Sequence, residues 1–307
     1  MNRIGRALAR TEATSLARRL ALAVLVALAA LLAFAGSAFA GAIVPESGGS
    51  PNADHIATLY KLILAVAIVI FVGVEGCLIY SLFKFRARKG AVAAQIRGNT
   101  RLEVGWTVGA ALILVVLAVF TFATLPSIRN PPNSGPGGLQ LASGTLVAAG
   151  SAKKLPPNGK SLNVCVNGQQ YIWRFTYAPD CSNAPLNSAF SYQQMVVPVD
   201  TTVTLDINAQ DVAHSWWIPK LGGKFDAIPG YTNHTWFKIP GKLAGTIFTG
   251  QCAELCGRNH ANMTAQVRAV TPAEYERWID QRKKDIKAAD DAAAQQRKQV
   301  QQQQQAP

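Results

Sequence analysis

The chain has 307 residues, which allows one or two domains together with membrane segments, and 49% of them are hydrophobic, with the long apolar runs gathered early. The formal net charge is +13. Residues 1 to 40 carry five Arg against one Glu, and one short loop between apolar runs carries six basic residues and no acid, a membrane-topology signal rather than a nucleic-acid one.

Residues 1 to 40 read as a secretory signal peptide. Arg3, Arg6, Arg10, Arg18 and Arg19 make a basic start, Leu20 to Phe34 an apolar core, and Ala38-Phe39-Ala40 a small-residue cleavage site. The competing reading is an uncleaved first membrane helix, although the apolar core is short for a full span. Residues 41 to 58 hold Gly, Pro and Ser with Glu46 and Asp54, and are expected to form a loosely ordered exported leader.

Residues 59 to 126 are expected to form a two-helix transmembrane hairpin. Leu59 to Phe83 and Val104 to Leu125 are each long enough to cross the hydrocarbon core, which needs about 20 residues. Pro126 is expected to stop the second span. Between them Lys84, Arg86, Arg88, Lys89, Arg97 and Arg101 occur with no acid, so this loop stays in the cytoplasm and both ends of the hairpin lie outside. Glu75 falls inside the first span, where an ion is costly, so it faces a protein partner or is protonated. Cys77 beside it reads as a small apolar filler. Glu103, at the cytoplasmic start of the second span, suits a positive helix N-terminus.

Residues 127 to 160, rich in Gly, Pro, Asn and Ser, form a linker and edge loops. From residue 161 to 270 the period changes to two. Ser161 to Val166, Ile172 to Tyr177, Gln194 to Val199, Thr202 to Asn208, His234 to Ile239, Thr246 to Thr249 and Thr264 to Val270 alternate apolar and polar, as half-buried strands do. Short strands with regular turn signals predict a β-sandwich or barrel. Cys165 and Cys181 pair as a disulfide or remain two buried thiols; both readings stay open. His55 and His234 have no partners at ligand spacing. Residues 271 to 307 open with a capping box, Thr271-Pro-Ala-Glu274, which predicts a helix through Trp278 to about Lys287, followed by a disordered glutamine-rich tail.

Chemistry concentrates in Gln251 to Met263, where Cys252, Cys256, His260 and Met263 are all metal-grade ligands, and His214 joins them from Asp-Val-Ala-His-Ser-Trp-Trp. Thiolate and thioether are soft donors and imidazole is borderline, so the set points to copper. One Cys, two His and a weak Met would describe a mononuclear site. The second thiol lets two thiolates bridge two copper ions, with Met263 and the Glu254 carbonyl as weak axial ligands. Structural zinc and a Cys252–Cys256 disulfide are the alternatives. Zinc leaves Met263 unexplained and usually follows closer Cys spacing.

The ligand loop, the His214-Ser-Trp stretch and Lys224-Phe-Asp-Ala-Ile-Pro-Gly230 together resemble cytochrome c oxidase subunit II, the subunit that carries the binuclear CuA centre, over roughly residues 55 to 280. The resemblance implies a cupredoxin, an all-β Greek-key sandwich, with His214 on the loop after the Thr202 strand and the other ligands between the last two strands. It implies an electron-accepting subunit at the bacterial plasma membrane, copper domain outside. A cytochrome c, or a tethered cytochrome domain, would deliver electrons for haem in subunit I, where oxygen is reduced to water with proton translocation. It further implies that Glu254 helps bind magnesium at the subunit I boundary and that Glu103 marks the entrance of a proton path. Where the family has a tryptophan that admits electrons, this chain has Tyr171, with Trp173 two residues on. Either ring is a candidate electron inlet; for Trp173 the core reading is favoured. Of Trp216 and Trp217, one is expected to shield the metal and the other to pack below. A nitric oxide reductase subunit, nitrous oxide reductase, a metal-free quinol-oxidase subunit and a copper-delivery protein are the competing functions. No Cys-x-x-Cys-His occurs, so no c-type haem is fused to the domain.

Overall fold

Two apolar helices lead into a β-sandwich. The computed structural model describes residues 43–87, 90, 92, 95–140, 154–182, 184 and 188–304. The expected signal segment, Arg88 and Lys89 of the basic loop, residues 141–153 of the expected linker and the last three residues lie outside them. The chain divides into two units at Pro45, and the helices and the sandwich all belong to the one from Glu46 onward.

Helix α1 is Pro51–Lys84 and α2 is Thr100–Arg129. Both are long and apolar enough to cross a membrane. Phe71, Leu82, Leu114 and Phe122 stand exposed on them, an outward face that suits hydrocarbon rather than water. Two expectations need correction. The first helix starts at Pro51, inside the expected leader, because proline at the first helical position forgoes no hydrogen bond. Its first turns then pack on the sandwich: Ala53 and Ala57 are buried, and Asn52 Nδ2 donates to the Trp236 carbonyl at 2.8 Å. Pro126 does not stop α2, which runs to Arg129. A proline one turn from the end costs one main-chain bond, and Asn130 N–H still closes the last turn on the Pro126 carbonyl at 2.8 Å. Trp236 Nε1 donates to the Ile128 carbonyl at 2.9 Å, so one residue ties down the outer ends of both helices.

Among the described residues the strands form two five-stranded sheets. The first has β1 (Leu162–Gln169), β2 (Ile172–Thr176), β3 (Phe190–Tyr192), β5 (Thr202–Ala209) and β8 (Asn233–Lys238), in the order β3-β2-β1-β5-β8. The second has β4 (Gln194–Pro198), β6 (His214–Trp217), β7 (Phe225–Ala227), β9 (Ile247–Cys252) and β10 (Thr264–Val270), in the order β4-β10-β9-β6-β7. The pairs β1–β5 and β4–β10 are parallel and the rest antiparallel, so the chain crosses between sheets rather than meandering. The inward residues, among them Trp173, Phe175, Met195, Leu205, Phe237, Phe248 and Val267, form one core between the sheets.

Cys165 and Cys181 are joined, with Cα atoms 5.6 Å apart, which settles the open alternative for this pair. The linker's described parts are pinned: Thr202 Oγ1 donates to the Pro132 carbonyl at 2.6 Å, and Leu139 N–H donates to Thr201 Oγ1 at 2.7 Å. Helix α3, Pro272–Gln304, corrects the reading of the tail. Its start is held by the capping box and by Tyr275, which is buried and packs with Tyr177 and Trp278. The helix continues far past Lys287, because residues 280–304 contain no Gly or Pro and are rich in Ala, Gln, Lys and Arg, all strong helix formers.

Candidate metal centre

The sheet ladder builds the site. His214 is the first residue of β6, not a loop residue as expected, and β6 pairs with β9 so that Trp216 lies opposite Cys252. Cys252 is the last residue of β9. Its N–H donates to the Met263 carbonyl at 2.8 Å, and Ala253 N–H donates to the Ser215 carbonyl at 2.8 Å. The loop between β9 and β10 therefore closes on itself, with Met263 at its far end.

Four of the five donors are almost wholly buried: His214 0%, Cys252 2%, Cys256 4% and Met263 0% exposed; His260 is half-buried. Cys252 Sγ lies 3.9 Å from Cys256 Sγ and 3.9 Å from His214 Nδ1. Cys256 Sγ lies 3.5 Å from His260 Nδ1 and 3.8 Å from Met263 Sδ. The Glu254 carbonyl is 3.2 Å from Cys252 Sγ, while its side chain is exposed. Each thiol thus has one histidine nitrogen beside it, and the two weak donors, Met263 and the Glu254 carbonyl, sit against different thiols. This pairing fits two ions sharing two sulfurs better than one tetrahedral ion. The thiols are separate, so the alternative of a Cys252–Cys256 disulfide does not describe this structure. Burial, reinforced by the neighbouring Cys252, pushes the Cys256 thiol up to about 11. An incoming soft metal must displace that proton.

The surroundings fix the histidine. Asp211 Oδ1 bonds His214 Nε2 at 2.8 Å, which leaves Nδ1 facing Cys252. Burial opposes ionisation of Asp211, but the Gln170 amide, the His214 ring and the Val212 amide together outweigh it and hold the carboxyl below its ordinary range. Trp173 meets the His214 ring edge-on at 5.9 Å. A Cβ at Gly168 would lie 3.0 Å from His214 Cδ2 and 3.1 Å from the Trp173 ring, so any side chain there would crowd the histidine.

Trp173 is fully buried, whereas Tyr171 is half-buried with its hydroxyl against Gly257 of the ligand loop. Trp216 packs below, stacked on Phe237 at 6.3 Å, while Lys224 Nζ lies 4.7 Å over the half-buried Trp217. Glu103 lies far away in the chain at the start of α2, where its carboxylate accepts the Asn99 N–H at 3.2 Å. His234 is bonded to Asp206 at 2.7 Å, and His55 is exposed. Sequence reasoning missed the parts played by Asp211 and Gln170. For Asp211 the signal was an acid three residues before a candidate ligand histidine.

A family model described as cytochrome C oxidase subunit II, transmembrane domain, matches residues 40–124, and one described as cytochrome C oxidase subunit II, periplasmic domain, matches residues 181–270. Cytochrome c oxidase subunit 2 of Alkalihalophilus pseudofirmus is 32% identical over 242 residues, covering 77% of this chain and 61% of the relative's own length. Cytochrome c oxidase subunit 2 of a Synechocystis strain is 31% identical over 255 residues, covering 75% of this chain and 73% of the relative. A solved periplasmic domain of subunit II of cytochrome oxidase (CoxB) of Bradyrhizobium japonicum matches with 31% identity and a TM-score of 0.36, over 41% of this chain and 96% of that one.

Proposed function

The chain belongs to the cytochrome c oxidase subunit II family, and from that premise and the donor cluster we propose that it is the electron-accepting subunit of a haem–copper terminal oxidase. Its two apolar helices form the membrane hairpin, with the β-sandwich domain on the outer side. His214, Cys252, Cys256, His260, Met263 and the Glu254 carbonyl would hold two copper ions. When bound, the pair supplies a one-electron relay whose charge is shared over two ions.

The protein's part is to keep that relay dry and its donors still. The buried thiols and His214 exclude water, and the β6–β9 ladder with its loop closure holds them in place. A cytochrome c, or a cytochrome domain tethered in the same complex, delivers electrons; haem in subunit I receives them for reduction of oxygen to water. Tyr171 is the better placed of the two candidate inlets, because from the β1–β2 turn it packs against the ligand loop and lies partly in solvent, while Trp173 is enclosed behind His214. The exposed Glu254 side chain is free to join a magnesium ion at the subunit I boundary. Glu103 caps α2, and a role at a proton-path entrance into subunit I would be added to that cap.

The observation that carries the proposal is the pairing of each buried thiol with its own histidine nitrogen across a 3.9 Å sulfur–sulfur gap. The test is metal analysis and electron spin resonance of the full chain loaded with copper in detergent. Two coppers per chain with a mixed-valence signal are expected, and Cys252→Ser should abolish that signal. One zinc per chain, or the spectrum of an isolated blue-copper ion, would overturn it.

A further inference from the structure

The turn between β1 and β2 touches both halves of the donor cluster without supplying a donor. The Gln170 backbone N–H donates to Asp211 Oδ2 at 2.7 Å, and its side-chain Nε2 donates to the Cys256 carbonyl at 2.6 Å. Asp211 bonds His214 Nε2 through its other oxygen. An unbroken chain of hydrogen bonds therefore runs from His214 through Asp211 and Gln170 to Cys256, outside the cluster itself. It joins two ligand segments that are far apart in sequence and carried on different elements.

The two thiols are not held alike. Cys252 ends a strand and is fixed by ladder and loop-closing bonds. Cys256 lies four residues on, within the loop, beyond the reach of the ladder. The loop is drawn down onto the turn there. Gly257 has φ +127°, and a Cβ at that position would lie 3.0 Å from Gln170 Nε2 and 2.6 Å from the Tyr171 hydroxyl. A side chain there would be strained by the positive φ and would push the ends of Gln170 and Tyr171 aside.

We propose that Gln170 is a positioning residue for the metal cluster. Its amide side chain sets where Cys256 sits, and its backbone amide sets, through Asp211, which way His214 faces. One residue thereby fixes the separation of the two donor segments, so the cluster is preformed before metal arrives and keeps its shape when an electron is added. This rests on the proposed copper site, and the experiment separates the two.

The test compares the full chain with Gln170→Ala and Gln170→Glu in detergent, titrating copper against a chelator and recording the electron spin resonance signal of each. Glutamate is nearly the same size but presents an acceptor to the Cys256 carbonyl, so it keeps the packing and breaks the bond. Both variants should bind copper about tenfold or more weakly, as loss of an outer partner of a metal ligand typically does, and should show an altered hyperfine pattern. Their metal-free circular dichroism and melting should match the parent, since Gln170 lies outside the core. If Gln170→Glu binds copper as the parent does with the same spectrum, packing alone places the loop and the inference fails. If the parent itself takes up no copper pair, the functional proposal fails instead, and this inference with it.

Discussion

At the scale of single residues, the candidate donors that the structure brings together could be picked out because their chemistry is carried by residue type. Cys252, Cys256, His260 and Met263 fall within one loop, and His214 stands out by the aromatic residues after it. The donors divide the labour. Met263 is fully buried with Sδ 3.8 Å from Cys256 Sγ, while each thiol has a histidine nitrogen of its own. An axial thioether tunes a copper site rather than building it. Met263→Leu conserves volume and should cost less than about 1.5 kcal/mol in stability. Copper stoichiometry should be unchanged, and the midpoint potential should rise, because a donor that favours the oxidised state is lost. Redox titration with metal analysis reads both, and loss of one copper per chain would assign Met263 a building role. The outer partners were not legible. Asp211 and Gln170 matter only because the β1–β2 turn folds onto the ligand loop, and a single sequence does not show which turn meets which loop.

At the scale of elements, period and caps were readable and endpoints were not. Thr264 to Val270 alternates cleanly and is β10 as expected, whereas β3 and β7 have three residues each, too few to show a period. The short β6 begins at His214, a candidate ligand that reads as a loop residue. Pro126 and the glutamine-rich tail were misread because composition says where a helix is disfavoured or unsupported, not where it ends. The capping box of α3 was readable, and its energetics can be checked. Thr271 N–H and Oγ1 donate to Glu274 Oε2 at 2.9 and 2.8 Å, and Glu274 N–H donates to Thr271 Oγ1 at 3.3 Å. The backbone bond from Thr271, then its hydroxyl, holds the Glu274 carboxyl below its ordinary value. A carboxyl depressed on folding stabilises the protein above its unfolded pKa, about 4.3 for Glu, and that contribution disappears as pH falls through the lower folded value. Glu274→Gln should therefore melt earlier than the parent at neutral pH, with the gap closing below about pH 4. Thr271→Ala removes the N-cap and should cost about 1 kcal/mol. A gap that persists unchanged in acid would show that the carboxylate's charge plays no part in the cap.

At the scale of the whole molecule, charge sets the expectation for the electron donor. Redox partners find each other through complementary surfaces, and matched charge raises association rates about tenfold to a thousandfold at low salt. Between Ser127 and Val270 there are eleven Lys or Arg against six Asp or Glu. Four of the six acids are engaged: Asp180 accepts the Ser182 N–H, Asp200 accepts the Gly241 N–H, Asp206 bonds His234, and Asp211 bonds His214 and Gln170. Asp226 and Glu254 are exposed, but so are Lys224 and Arg258. The domain therefore offers a strongly basic soluble cytochrome little to steer by. An acidic cytochrome, or one tethered in the same complex, suits it better, because tethering replaces long-range attraction with effective concentration. Stopped-flow reduction of the copper-loaded chain should be slow with a basic cytochrome and should change less than about tenfold between low and high ionic strength, against the larger change that steering produces. An acidic cytochrome should react faster at low salt and slow as salt rises. Fast reduction by the basic protein, falling steeply with salt, would mean that Asp226 and Glu254 form a local acidic patch strong enough to override the net charge of the domain.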